Sequence, residues 1–197
     1  MFHEIVFAEG IPDVNLPYLG GGVYLPASMV WPTDSSGGAM MHLASFPAAF
    51  LNRFMPSLGL ENALMISIFC PYSLDDDEYI DRAMNGESRV LAYHPAATSV
   101  CGNGEHIDQQ KIITVVENSN PDSEENGIAK IGGIPAWIQD EEVYENMEYV
   151  LQISGSRLNK AVPTHKGILV GGCGYLLLKR NIRSEDSEAG KFPIQTS

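Results

Sequence analysis

Positive charge is scarce in this chain. Only 12 lysines and arginines stand against 25 aspartates and glutamates, a formal net charge of −13. A field of that sign repels nucleic-acid phosphate and anionic lipid, keeps a protein soluble and draws in basic partners. No nucleic-acid partner and no membrane partner is therefore expected. Long apolar runs are also missing. No window approaches the roughly 18 apolar residues that a spanning helix needs. The opening Met1-Phe2-His3-Glu4-Ile5 lacks the basic flank and apolar centre of a secretion signal, so a cytoplasmic location is expected. Cysteine is rare: Cys70, Cys101 and Cys173 are odd in number and far apart. That argues against a disulfide framework and for a reducing compartment, and Cys70 and Cys173 lie in apolar stretches where burial is expected.

The motifs of common catalytic chemistry are absent too. No G-x-G-x-x-G follows an apolar run, and no G-x-x-x-x-G-K-[ST] occurs; Gly190-Lys191 runs on into Phe192. Ser154-Gly155-Ser156 and Gly172-Cys173-Gly174 lack the spacing of a nucleophile elbow. His94, Cys101 and His106 are the best local set of metal-type ligands, but they match no zinc spacing and lack a fourth ligand. The acidic run around Asp75 lacks the glycine and closing glutamate of a calcium loop. Cys101 with His94 or His106, and Cys173 with His165, are the thiol and imidazole pairs whose geometry the sequence leaves open. The expectation is no catalytic residue, no cofactor and no metal.

What is present is an ordinary folded composition, 44% hydrophobic and 19% charged over 197 residues, enough for one domain to bury its own core. Strands are predicted over residues 5–7, 41–46, 63–70, 90–93, 112–116, 149–153 and 175–178 from short alternating or continuously apolar runs. In residues 64–70 both alternating sets are largely apolar, which marks a central strand. Short helices are predicted after Pro47, over residues 76–84 with acidic residues at their start, and as a turn over 141–146. Residues 117–127, ENSNPDSEENG, read as an unstructured acidic loop, and residues 183–197 as a flexible tail. The loop separates halves 1–116 and 128–182 with a related order of Gly-Gly, proline and strands, a weak internal duplication inside one domain over 1–182.

Residues 20–51, GGGVYLPASMVWPTDSSGGAMMHLASFPAAFL, together with KIGGIPAWIQDEE at 130–142 and EYVLQIS at 148–154, resemble the YwqG-like family. The likeness covers residues 20–180 and rests on the order of Trp31-Pro32, Gly133, Pro135, Gln139 and Gln152. It departs at Ser45, where the family pattern usually shows Gln. The resemblance implies an α+β fold, β-rich and mostly antiparallel with a few short helices. It carries no established activity, and the surroundings of relatives near bacterial polymorphic toxins imply an immunity or antitoxin role. By their own chemistry the glycines permit positive φ, the prolines stiffen turns, and Trp31 and Trp137 anchor long loops or rim a partner groove.

The sequence thus supports a non-enzymatic acidic binding protein whose partner is a basic protein, possible toxin included, with Asp75, Asp76, Asp77, Glu78, Glu141, Glu142 and Glu145 as the candidate contacts. The competing expectations are an enzyme with a pocket between the halves near Gln139, Gln152 and the tryptophans, and a regulatory or scaffold module.

Overall fold

Every residue of one strand, Met65–Cys70, is buried. Its alternation sends Ile66, Ile68 and Cys70 into the main apolar core and Met65 and Phe69 into a second cluster on the opposite face. A strand covered on both sides needs a layer beyond the sheet, and the architecture supplies one. The computed structural model describes residues 2–197. In chain order the elements are β1 (Phe2–Ala8), β2 (Tyr18–Leu19), β3 (Met41–Pro47), α1 (Ala48–Phe54), β4 (Met65–Cys70), α2 (Glu78–Met84), β5 (Arg89–Tyr93), β6 (Lys111–Asn118), β7 (Lys130–Ile131), β8 (Met147–Ser154), α3 (Gly155–Ala161), β9 (Cys173–Lys179), β10 (Asp186–Lys191) and β11 (Ile194–Gln195).

The strands pair in the order β10-β5-β4-β3-β2-β6-β1-β7-β8-β9-β11, and β10 also pairs with β9. That last pairing closes a ring of 10 antiparallel strands. The expected α+β fold of mostly antiparallel sheets with a few short helices is therefore corrected to a closed antiparallel β-barrel. The correction turns on residues 183–197, which sequence reads as a tail. They supply β10, whose Gly190 pairs with both Val90 and Leu178, and β11, which pairs with the start of β9. Closure removes the unpaired edges that an open sheet would leave.

The ring reads alike from its two seams, β1–β6 and β5–β10. β2 matches β7, β3 matches β8, α1 matches α3, β4 matches β9, and both long inner strands carry a register shift at the same place, His42/Ala44 and Tyr149/Leu151. β1 stands where a strand following β10 would stand, so the related halves do not divide at the expected 1–116 and 128–182. Because neighbours alternate in direction, β3 and β8 run oppositely and α1 and α3 close opposite mouths. Each presents a leucine, Leu51 or Leu158, to the packed interior. α3 was not expected from sequence, and residues 141–146 form a loop with a single turn at 145–146 instead of a helix.

The loop expected to be unstructured is anchored. β6 runs on to Asn118, and beyond it Asp122 pairs with the fully buried Lys130 at 2.6 Å and accepts from the Ile134 N–H at 2.7 Å. Outside the barrel, residues 22–40 lay Val23, Leu25, Met40 and Trp31 over β4 and β5, and residues 134–147 lay Trp137, Tyr144 and Met147 over β9.

Candidate functional site

Beneath the first of these outer layers lies a chain of buried polar side chains. His42 and Ser45 point outward from β3, and Ser67 and Tyr93 meet them from β4 and β5. His42 Nδ1 is 3.2 Å from the Gly21 carbonyl, and Nε2 is 2.8 Å from Ser45 Oγ. Ser45 Oγ is 2.6 Å from Ser67 Oγ, which is 2.6 Å from Tyr93 Oη. A carbonyl can only accept, so Nδ1 carries the imidazole proton and the direction of the chain follows. Tyr93 donates to Ser67, Ser67 to Ser45, Ser45 to His42, and His42 to Gly21.

An imidazole beside a hydroxyl is the arrangement of a base and a nucleophile. Here it is sealed: His42 is 1% exposed, and Ser45, Ser67 and Tyr93 are 0%. Burial pushes the His42 pKa down to about 4 against hydrogen bonds to Gly21, Ala44 and Gly20 that favour the charged ring. It also pushes the tyrosine hydroxyls up, Tyr18 to about 12 and Tyr93 further still. The chain is neutral at pH 7, fully satisfied and out of reach of a substrate. Its work is to let polar side chains occupy the face between barrel and outer layer without cost.

Above it the outer layer opens into a cleft of about 770 Å³. One wall is residues 25–39 and the other residues 96–103, joined by the Val23–Val100 bridge. Trp31 forms part of its lining. The indole stands edge-on to Phe69, 5.2 Å between centroids, and its N–H donates to the Met40 carbonyl at 2.8 Å. Gly102 packs against the indole so closely that a Cβ there would overlap it. Met29, Val100 and Cys101 complete the apolar lining, and no lining residue carries a charge.

The matched face over β8 and β9 is filled from within. Trp137 lies 4.3 Å from the Tyr175 ring, Tyr144 and Met147 pack beside it, and the remaining hollow is about 130 Å³. Burial first, then the neighbouring Glu142 carboxylate, push Tyr144 up to about 12.

The expected contact residues fall in two exposed segments. Asp75, Asp76, Asp77 and Glu78 stand at the start of α2, where a turn built on Ser73 and Asp76 replaces the extra helical residues expected there. Glu141, Glu142 and Glu145 lie in the loop after Trp137. Between the segments runs β11. α2 packs against it, and Gln195 accepts from the Ile138 and Gln139 N–H groups and donates to the Asp140 carbonyl. Among the described residues only Glu78 of the seven has an ion-pair partner, Arg82 at 4.0 Å.

The other sequence candidates are dispersed. His94, Cys101 and His106 are exposed, His106 pairs with Asp108 at 2.9 Å, and no metal-type cluster forms among the described residues. Cys173 is pushed up to about 11 by burial, and its thiol faces the Gly174 carbonyl while His165 engages Thr164. Gln152 bonds three backbone groups, and Gln139 donates to the Thr196 carbonyl, so both serve the scaffold. A second cleft of about 550 Å³ between β6 and α3 is polar and holds the Glu9–Lys111 pair. Sequence offered Trp31 as the rim of a partner groove but not the groove's walls, which are two loops far apart in the chain.

No protein-family model matches the chain. No curated protein matches it either. No helix among the described residues is long and apolar enough to cross a membrane.

Proposed function

We propose that this protein acts by binding and not by catalysis, engaging a basic protein partner in the way an immunity protein covers the active site of a cationic toxin. The observation that carries the reading is the pair of acidic segments on either side of β11, six of whose seven carboxylates have no ion-pair partner among the described residues. Exposed charges of one sign steer an oppositely charged partner and fix its register. The net charge of −13 acts in the same direction at longer range. The likeness of residues 20–180 to the YwqG-like pattern belongs to this proposal, and so does the toxin as partner. The sealed state of the His42 chain favours binding over the enzyme reading.

The test is capture of basic proteins on immobilised protein at about 50 mM and about 300 mM salt, where exposed pairs are strongly screened. D75K/D76K/D77K and E141K/E142K/E145K serve as variants. A basic protein held at low salt and released by high salt and by charge reversal is the expected result. Retention by both variants removes these residues from the interface.

A further inference from the structure

Resting on that reading, we infer that the Trp31 cleft receives one large apolar side chain, aromatic by preference, carried on a basic segment of the partner. The cleft supplies apolar contact and the flanking acids supply the charge. Its lining is uncharged, and the Trp31 indole N–H is already spent on the Met40 carbonyl, so what it offers an occupant is ring surface. Interfaces take most of their affinity from one or two such desolvated anchors surrounded by weaker polar contacts.

The choice of a basic carrier comes from how the cleft's loops are tied to α2 and to the residues on either side of it. On one side Asp34 holds Arg82 at 2.9 Å, and the Ser35 N–H and hydroxyl donate to Glu87 at 2.8 and 2.7 Å. Just beyond the other wall, Glu105 accepts at 3.4 Å from the N–H of Leu74, which immediately precedes the acidic run before α2. The acidic start of α2 and the cleft are therefore parts of one stretch of surface. Arg82 is neutralised there by Asp34, and the Arg89 guanidinium is turned onto the Glu87 and Ser88 carbonyls. At the cleft, Val30, between the lining residues Met29 and Trp31, is 86% exposed and Val100 is 45% exposed. An acidic or neutral segment would meet the apolar part of this surface and be repelled or unassisted by the rest.

The kind of anchor is indicated by the matched half. There the protein covers the outer face of β8 and β9 with Tyr144 and Met147 from its own chain, packed beside Trp137 and Leu177. In the first half Val14, Met29 and Trp31 pack on the matching cluster, yet a cleft of about 770 Å³ stays open beside the indole.

The probes are short synthetic peptides: lysine and glycine alternating around one phenylalanine, the same peptide with alanine at the centre, and a glutamate version that keeps the phenylalanine. Binding is read from the Trp31 indole N–H resonance, assigned with Trp31→Phe. It is read again from protection of Cys101, the exposed cysteine among Cys70, Cys101 and Cys173, against a maleimide. The lysine peptide with phenylalanine should shift the resonance and slow labelling. Its alanine counterpart should bind at least about tenfold more weakly, and the glutamate version should not bind. Ala96→Trp, which fills the cleft, should remove the preference for phenylalanine while leaving the unfolding transition in place. D75K/D76K/D77K should weaken both lysine peptides alike. Equal binding of the phenylalanine and alanine peptides, still sensitive to charge reversal, overturns the anchor and leaves the acidic interface standing. Equal binding of the glutamate peptide overturns the basic carrier, and no binding by any peptide overturns the inference.

Discussion

Gln152 holds on β8 the place that Ser45 holds on β3. Ser45 faces Tyr18 and Ser67 across its two neighbouring strands, and Gln152 faces Lys130 and Tyr175 across the matching two. The longer side chain reaches past the sheet to the Ala136 N–H and the Asn126 and Ile128 carbonyls, while the serine donates to His42 and accepts from Ser67. Gln152→Ala should therefore cost about 2–4 kcal/mol, since several backbone groups lose a partner together. Ser45→Ala should cost less, because it interrupts a chain of side chains only. Urea unfolding of both variants gives the comparison, and equal costs would contradict the division of labour.

Keeping His42 neutral ties stability to pH. Its folded pKa of about 4 lies below the ordinary 6.5, so between these values the unfolded chain binds the extra proton. The stabilisation is present above pH 6.5 and is lost as pH falls toward 4, about 3 kcal/mol in all. Unfolding free energies at neutral pH and at pH near 5 should show the slope, and His42→Asn should flatten it.

Among the described residues Lys130 and Asp122 form the one ion pair buried on both sides, with side chains 0% and 5% exposed. Burial alone would raise the Asp122 pKa, but the Lys130 ammonium, the Ile134 N–H and Asn126 hold it below the usual carboxylate range. Its contribution is present above that range and lost on acidification through it. Asp122→Asn should cost about 3–5 kcal/mol by leaving the ammonium without a counter-charge, and adding Lys130→Met should recover much of that. A double-mutant cycle in chemical denaturation measures the coupling; a coupling near zero would show that the pair does not hold the loop.

Phe192 tests the closure of the ring. It lies 1% exposed in the main core, beyond β10. Phe192→Ala should cost about 3–5 kcal/mol, as for other buried aromatics, and a chain ending at Ile182 should lose its cooperative thermal transition. A frayed tail would tolerate both changes.

Much of the local structure was legible. The longer strands appear where alternating or continuous apolar runs predict them, because burial on one or both faces leaves a period in the sequence. The pattern could not report β2 and β7, which are two residues long. Nor could it report β10, whose run Asp186-Ser187-Glu188-Ala189-Gly190-Lys191 has only Ala189 and Gly190 buried. Strand pairing there rests on backbone hydrogen bonds, which any sequence can make. The charge of Asp122 likewise read as solvated because its partner Lys130 is recognised as buried only once the fold is known.

Sequence alone determined the acidic character, the apolar strands and the exposed runs around Asp75 and Glu141, since these depend on composition and short-range periodicity. Tertiary structure decided that the strands close into a barrel, that His42 is sealed, and that loops from residues 25–39 and 96–103 meet over Trp31. Each of those is a long-range relation between segments whose own sequences carry no record of the partner they pack against.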